Sequence, residues 1–237
     1  MSWREEDPRI LRGMQAQLAL RRARLESGER PLGWKIGFGS PEAMQRLGIH
    51  APLVGFLMES SLLPPGSVVQ VVHWTRPLAE PEIAVYIGKD LPGGTEREPI
   101  REAIQAIGPA IELVDLDRPP EDVEAILSGN IYHRYVLLGP RDESAAKRSV
   151  QHLRGRVFWD GAEVASVEDL EANTGPVVDA VSRVANLLAS MGERLRGGDV
   201  IIAGSVIPPL PIERGRSEIT FELVPVGRVS VRFQWNE

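Results

Sequence analysis

The chain has 237 residues, 43% of them hydrophobic and 25% charged, with a net charge of -6 at pH 7, the composition of an ordinary globular protein. No apolar run approaches the roughly 20 residues needed to cross a bilayer, the acidic balance gives no basic footprint for nucleic acid, and the opening MSWREEDPRI lacks the pattern of a secretory leader, so a cytoplasmic location is the expectation. Zero cysteines exclude disulfides, zinc-thiolate sites and thiol nucleophiles, and any bound metal has to use oxygen or imidazole ligands.

The first predicted element is a helix capped by Asp7, with Pro8 in its first turn, an apolar stripe of Leu11, Met14, Leu18 and Leu25, and Gly28 and Pro31 as its stop. Residues 31–38 read as a strand carrying Gly33-Trp34-Lys35-Ile36-Gly37, after which Ser40-Pro41-Glu42 opens a short helix that Gly48 ends. Apolar runs broken by Gly55 and Pro64-Pro65-Gly66 make residues 53–72 β-structure with turns. Residues 80–88 form a strand, 99–107 a helix stopped by Gly108-Pro109, 110–115 a strand, 119–127 a helix and 135–139 a strand. Asp160-Gly161, between 157–159 and 162–165, has the chemistry of a type I′ hairpin turn. Residues 176–191 form the longest C-terminal helix, with Val177, Val181, Val184, Leu188 and Met191 on one face. Strands at 200–203, 219–223 and 229–235 close the chain, and the alternation of Val229, Val231, Phe233 and Trp235 with polar residues gives the last one a buried and a wet face. With no internal repeat and no linker, the expectation is a single α+β domain over residues 1–237, a helical cap at 1–30 on a β-rich core at 31–237.

Three segments bear chemistry. In residues 79–87, strand alternation puts Glu80 and Glu82 on one face and Ile83, Val85 and Ile87 in register with the other. Two carboxylates about 6.8 Å apart along a strand repel unless a cation sits between them, and the alternative is a pair of solvated acids on an edge strand. Glu112 lies in the apolar run Ala110-Ile111-Glu112-Leu113-Val114, so it is partly buried and needs a partner, either a metal, an arginine or backbone donors. Lys35 shares its face with Gly33 and Gly37, which leaves room for a ligand to approach its amine; the alternative is a surface lysine in a glycine-bounded strand. If the three glutamates meet, their oxygen-only donor set suits Mg2+ or Mn2+ better than zinc.

In order and separation, these segments resemble the 2-keto-4-pentenoate hydratase and 4-oxalocrotonate decarboxylase family of the fumarylacetoacetate hydrolase superfamily. The resemblance rests on GWKIGFGSPEAMQRLGI (33–49), PLVGFL (52–57), AEPEIAVYIGKDL (79–91), GPAIELVD (108–115), VLLG (136–139), GDVIIAGS (198–205) and VGRVSVRF (226–233). It implies a mixed β-roll of the fumarylacetoacetate hydrolase C-terminal type with N-terminal and flanking helices, a homo-oligomer, and Mg2+ or Mn2+ on Glu80, Glu82 and Glu112. Lys35 matches the family's active-site lysine, and Glu59 stands where many hydratases carry an aspartate, so both are expected to be catalytic. Asn130, His133, Gly204 and Ser205, with Lys35, are expected to bind substrate. The chain departs from the family at Gly129, where an aspartate is usual, and at Tyr132 and His133, which replace serines.

The expected function is a lyase that adds water to a 2-hydroxy-2,4-dienoate in aromatic-compound catabolism, 2-hydroxypentadienoate giving 4-hydroxy-2-oxopentanoate. The alternatives are decarboxylation of a 2-oxo diacid or carbon–carbon hydrolysis of an acylpyruvate, with Arg134 or Arg118 as a cation for a second carboxylate, or a non-catalytic scaffold that binds a 2-oxo acid. A glycosidase built on Glu80 and Glu82 fits poorly, because only 5% of the residues are aromatic and two acids on one strand do not flank a bond.

Overall fold

The structure, a computed structural model, describes residues 7–147 and 150–236. In chain order the elements are α1 (Pro8–Glu26), β1 (Pro31–Gly37), α2 (Pro41–Leu47), β2 (Leu53–Met58), β3 (Leu62–Leu63), β4 (Val68–Gln70), β5 (Pro77–Ile87), α3 (Arg97–Ala103), β6 (Ile104–Asp115) and α4 (Val123–Ser128). They continue with β7 (His133–Leu138), α5 (Glu143–Ala146), β8 (Arg154–Trp159), β9 (Ala162–Val167), α6 (Val177–Ser190), β10 (Val200–Ser205), β11 (Leu210–Pro211), β12 (Glu218–Val224) and β13 (Gly227–Gln234). The fold is the expected mixed α+β type. Among the described residues, no helix is long and apolar enough to cross a membrane.

Two sheets divide the strands. The larger runs β2-β1-β10-β5-β6-β7-β3, with β11 pairing beside β10 on the same edge of β5, and the smaller runs β4-β13-β12-β8-β9. In the larger sheet β1 pairs with β10 and β3 with β7 in parallel, and every other pairing is antiparallel. Residues Ile83, Val85, Ile107, Ile111 and Leu113 point from β5 and β6 into the main core, which also takes Phe221, Val229 and Val231 from the smaller sheet. The opposite face of the larger sheet carries a separate small apolar cluster of Leu57, Ala84, Ala110, Val136, Val200 and Ile202. Because side chains alternate, Ala84 shares its face with Glu82, and Ala110 with Glu112. The candidate site and this cluster therefore lie on one surface of the sheet.

The helices follow the chemistry read from the sequence. Asp7 accepts a hydrogen bond from the Arg9 N–H and caps α1, Ser40 caps α2 at Ala43 N, and Gly48 closes α2 in the left-handed region. The buried stripe of α1 is Ile10, Met14, Gln17 and Leu18, and Leu11 and Leu25 sit at its margins. Gln17 donates to the carbonyls of Val54 at 3.1 Å and Leu127 at 3.0 Å, so the N-terminal helix is tied into β2 and α4. The hairpin turn is as expected, with Asp160 at φ 49 and Gly161 at φ 80.

The expected helix over 99–107 is corrected. It occupies Arg97–Ala103, and the chain turns into β6 at Ile104. Ala106 and Ile107 pair with Tyr86 and Val85, and Gly88 N–H bonds the Ala103 carbonyl at 2.8 Å. Gly108-Pro109, taken as a helix stop, lies within a twelve-residue strand, where a side chain at 108 would run into the Pro140 carbonyl. Cross-strand pairing to a long buried neighbour overrides the local stop signal. Likewise α4 starts at Val123 behind an Asp122 cap, and residues 119–121 precede it.

Candidate metal centre and its cavity

The antiparallel register of β5 and β6 places Glu80 directly opposite Glu112 and Glu82 opposite Ala110. Directly opposed side chains share a face, and a residue two further along a strand returns to it. All three carboxylates therefore converge, each offering an oxygen within 4.8 Å of the other two. Glu82 and Glu112 are fully buried, and Glu80 is half-buried at the cavity wall.

The surroundings of these oxygens are incomplete. Glu82 Oε2 accepts the Gly204 N–H at 2.7 Å, and Glu112 Oε1 accepts Lys35 Nζ and contacts His133 Nδ1 at 2.7 Å. Glu82 Oε1 and Glu112 Oε2 are buried without a hydrogen-bond partner. Burial, reinforced by the neighbouring Glu112 charge, pushes Glu80 up to about 7 and Glu82 well above the usual carboxylate range. Burial acts on Glu112 in the same sense, yet the Lys35 ammonium and the His133 hydrogen bond outweigh it and hold this carboxyl low. Burial also lowers His133, against the pull of Glu112. Buried carboxylate oxygens without partners are costly unless a cation completes them, and an oxygen-only donor set of three carboxylates fits a hard divalent ion.

Lys35 reaches this group from β1 across β10. Its stem needs the space above Gly55, where an added Cβ would lie 2.8 Å from Lys35 Cγ and 3.0 Å from Asn130 Oδ1. The glycines flanking Lys35, expected to leave room for a ligand, are met by the protein's own chain, although Gly37 also lines the cavity described below. A side chain at Gly37 would meet Ile131 Cγ2 at 2.8 Å and one at Gly33 would overlap the Val200 backbone, so these glycines admit the protein's own chain. Ile131 also supplies its carbonyl to Lys35 Nζ at 3.1 Å. It belongs to a left-handed run of three non-glycine residues, Asn130 (φ 54), Ile131 (φ 51) and Tyr132 (φ 60). Such residues cost about 1–3 kcal/mol each and persist where the surroundings over-determine them. Here Asn130 does so, its amide accepting from Phe56 N and donating to Phe56 O, both at 2.9 Å.

A cavity of about 410 Å³ opens from Lys35 and Glu80 outward, with Gly204, Ser205, Asn173 and Thr174 on its polar side. Gly204 and Ser205, expected to bind substrate, both line it. A register break between Ile202 and Ser205 and φ 94 at Gly204 aim the glycine N–H at Glu82, the kind of bulge that a glycine inside a strand pattern signals. Asn130 and His133, expected to bind substrate, are engaged with the protein itself. Asn130 spends its amide on Phe56, and His133 bridges Glu112 and Ser61 Oγ, the latter at 2.9 Å. Neither lines this cavity.

Glu59, expected to be catalytic, starts a 3-10 turn after β2 and forms a two-pronged surface ion pair with Arg30 at 2.7 and 2.8 Å, outside the cavity lining. Its carboxyl is held low by that pair. Arg118 and Arg134 pair with Asp117 and Asp115 and line a different, smaller cavity of about 170 Å³. A Cβ at Gly129 would meet only Ala125 O at 3.4 Å and Arg118 at 3.7 Å, so its departure from the family pattern points away from the carboxylates. Gly55, Ser61 and the left-handed turn were not singled out from the sequence, since each acts through a neighbour distant in the chain.

The sequence profile of the Fumarylacetoacetate (FAA) hydrolase C-terminal family matches residues 35–233. A 4-oxalocrotonate decarboxylase of Pseudomonas putida is 28% identical over 220 residues, 92% of this chain and 83% of that protein. A 2-hydroxyhexa-2,4-dienoate hydratase of Comamonas testosteroni is 29% identical over 225 residues, 93% and 84% of the two chains. Among solved structures, 4-oxalocrotonate decarboxylase from Pseudomonas putida G7, complexed with magnesium and adipate, superimposes with a TM-score of 0.86 at 27% identity, covering 95% of this chain and 86% of that one. A fumarylpyruvate hydrolase from Pseudomonas aeruginosa, in complex with Mn2+ and pyruvate, shares the fold with a TM-score of 0.68 at 16% identity, over 87% and 90% of the chains.

Proposed function

Because the chain belongs to the fumarylacetoacetate hydrolase family, we propose that it is a divalent-metal-dependent hydratase that adds water to a 2-hydroxy-2,4-dienoate from aromatic-compound breakdown. The observation that carries this reading is the convergence of Glu80, Glu82 and Glu112 beside Lys35, with Glu80 and Lys35 lining the cavity and two carboxylate oxygens left unpartnered. Mg2+ or Mn2+ held by these three carboxylates supplies Lewis-acid polarisation of a 2-oxo group and offsets the charge of the adjoining carboxylate. The chain's own groups do the rest. Gly204 N–H fixes Glu82, and Lys35 and His133 fix Glu112, so the donors keep their places before substrate arrives. Lys35 Nζ holds the substrate carboxylate or carries the proton that ketonises the dienol at C5. Ser205, Thr174 and Asn173 give the cavity a polar wall able to seat the water added at C4. Asn173 is itself oriented by donating to the Ser205 carbonyl at 2.6 Å.

The test is a product analysis by NMR, with Mg2+-loaded protein and freshly prepared 2-hydroxypenta-2,4-dienoate. Conversion to 4-hydroxy-2-oxopentanoate is the expected result, and binding without turnover defeats the hydratase reading. Decarboxylation of a 2-oxo diacid is the second reading, supported by the 0.86 TM-score to a 4-oxalocrotonate decarboxylase. Release of carbon dioxide from 4-oxalocrotonate in the same assay distinguishes it. The homo-oligomer implied by the family is also part of this proposal, since Leu32, Leu62, Tyr86 and Leu138 lie only partly buried around the small apolar cluster.

A further inference from the structure

A break in the pairing of β6 and β7 decides which side chain faces the carboxylates. Glu112 pairs with Val136 and Leu113 with Tyr135, but Val114 pairs with His133, so Arg134 is an extra, bulged residue. In an unbroken register Arg134 would stand opposite Val114 and share the face of Glu112, while His133 would point to the other side of the sheet. The bulge reverses this and turns the imidazole onto Glu112, a re-aiming for which such irregularities serve beside functional sites. His133 Nδ1 lies 2.7 Å from Glu112 Oε1, and Nε2 lies 2.9 Å from Ser61 Oγ. The ring is only 5% exposed.

Ser61 is itself held in place. It is the last residue of the 3-10 turn after β2 and is buried, with its hydroxyl also within 2.8 Å of the Met58 carbonyl. A carboxylate oxygen facing Nδ1 requires a proton on that nitrogen. In a neutral ring Nε2 is then an acceptor, and the Ser61 hydroxyl, free to rotate, donates to it.

The consequence lies in the two oxygens of Glu112. Each carboxylate oxygen has two lone pairs, and both of those on Oε1 are spent, one on Lys35 Nζ and one on His133 Nδ1. Oε2 is buried with no hydrogen-bond partner. Glu112 therefore has a single oxygen left for an ion shared with Glu80 and Glu82. Without His133, Lys35 alone would leave one lone pair of Oε1 open. The difference matters to the choice of ion. Mg2+ is small, takes six ligands at about 2.0–2.1 Å and keeps several waters, whereas Ca2+ takes about 6–8 oxygens and readily uses both oxygens of one carboxylate.

We propose that His133, braced by Ser61, is a positioning residue that withholds Glu112 Oε1 from the ion and so sets the centre's preference for Mg2+ or Mn2+ over Ca2+. The inference rests on the reading of the three carboxylates as a metal centre.

The test is calorimetric titration of the full metal-free chain with Mn2+ and, separately, with Ca2+, in the unsubstituted protein and in H133L, H133N and S61A. The unsubstituted protein is expected to bind Mn2+ the more tightly, and H133L to lower the ratio of the two affinities by about tenfold or more, the scale on which the outer partners of metal ligands act. H133N returns an amide N–H to the place of Nδ1 and is expected to recover most of the ratio. A side chain that only fills space would change both affinities together and leave their ratio alone. An unchanged ratio in H133L, a loss in H133N as large as in H133L, or no preference for Mn2+ in the unsubstituted protein overturns the proposal. Thermal midpoints verify folding. If H133L does not fold, S61A carries the comparison, because it keeps the imidazole and removes only its brace: a smaller fall in the ratio is expected there, and no fall overturns the proposal. If the unsubstituted chain binds neither ion, the metal reading itself fails, a result distinct from ions bound with a ratio indifferent to His133.

Discussion

Glu82 has one oxygen satisfied by a backbone N–H and one with nothing to bond, and a full negative charge cannot rest there without help. Substitution E82Q removes that charge at nearly constant volume. Since loss of mere supporting partners lowers metal affinity about 10–100-fold, loss of this carboxylate should lower Mn2+ affinity by more than about 100-fold in calorimetric titration. An unchanged affinity would mean that Glu82 is not a ligand. Lys35 is buried against Glu112, and breaking one side of such a pair costs about 3–5 kcal/mol. K35M should therefore show that loss in urea unfolding of the metal-free protein, with part of the stability returned by Mn2+. The pH dependence follows from the raised carboxyls. A group whose folded pKa lies above its unfolded value stabilises the fold below the unfolded value and loses that contribution as pH rises through the folded one. Glu80, raised to about 7, and Glu82, raised well above its ordinary value, act this way, whereas the lowered His133 has its opposing influence below about pH 6.5. Metal-free protein should lose stability between about pH 6.5 and 8, and excess Mn2+ should abolish the loss. Chemical denaturation across that range, with and without metal, checks both.

At the scale of elements, the site depends on segments that bring no functional group of their own. Gly55 in β2 yields its side-chain volume to the Lys35 stem, so G55A overpacks a fully buried region and should cost about 1–3 kcal/mol in thermal or urea unfolding, with no compensating gain from Mn2+. A neutral result would show that the lysine stem shifts freely. Much of this architecture was legible in the chain. Alternation in β5 put Glu80 and Glu82 on one face, and the apolar flanks of Glu112 announced its burial. What alternation could not supply was the partner of each strand. The register that sets Glu80 against Glu112, the left-handed turn that reaches Lys35, and the continuation of β6 through Gly108-Pro109 all come from contacts between distant segments. Glu59 shows the converse. Its place after the second strand matched the family, but Arg30 lies within reach and claims it at the surface.

For the whole molecule, the two faces of the larger sheet have different tasks. One is sealed by the smaller sheet and helices, and the other keeps a small apolar cluster with partly exposed Leu32, Tyr86 and Leu138 at its margin. Light scattering of the purified protein should return a mass that is a multiple of 26.1 kDa, whereas a monomer at all concentrations would remove the assembly from the proposal. The net acidic charge repels polyanions overall, while exposed Arg46 and Arg76 in the cavity lining offer a small anion a local attraction.

The pairing of Glu80 with Glu112 across β5 and β6 carries one more implication. A slip of a single residue in that pairing turns every side chain of one strand to the opposite side. A chain zipped up one step wrong would scatter its acids and hold no ion, while a correctly aligned one would gain stability on capturing it. If the three carboxylates hold an ion, its capture would thereby proofread the pairing of the two longest strands, rewarding the one alignment that brings Glu80 and Glu112 together.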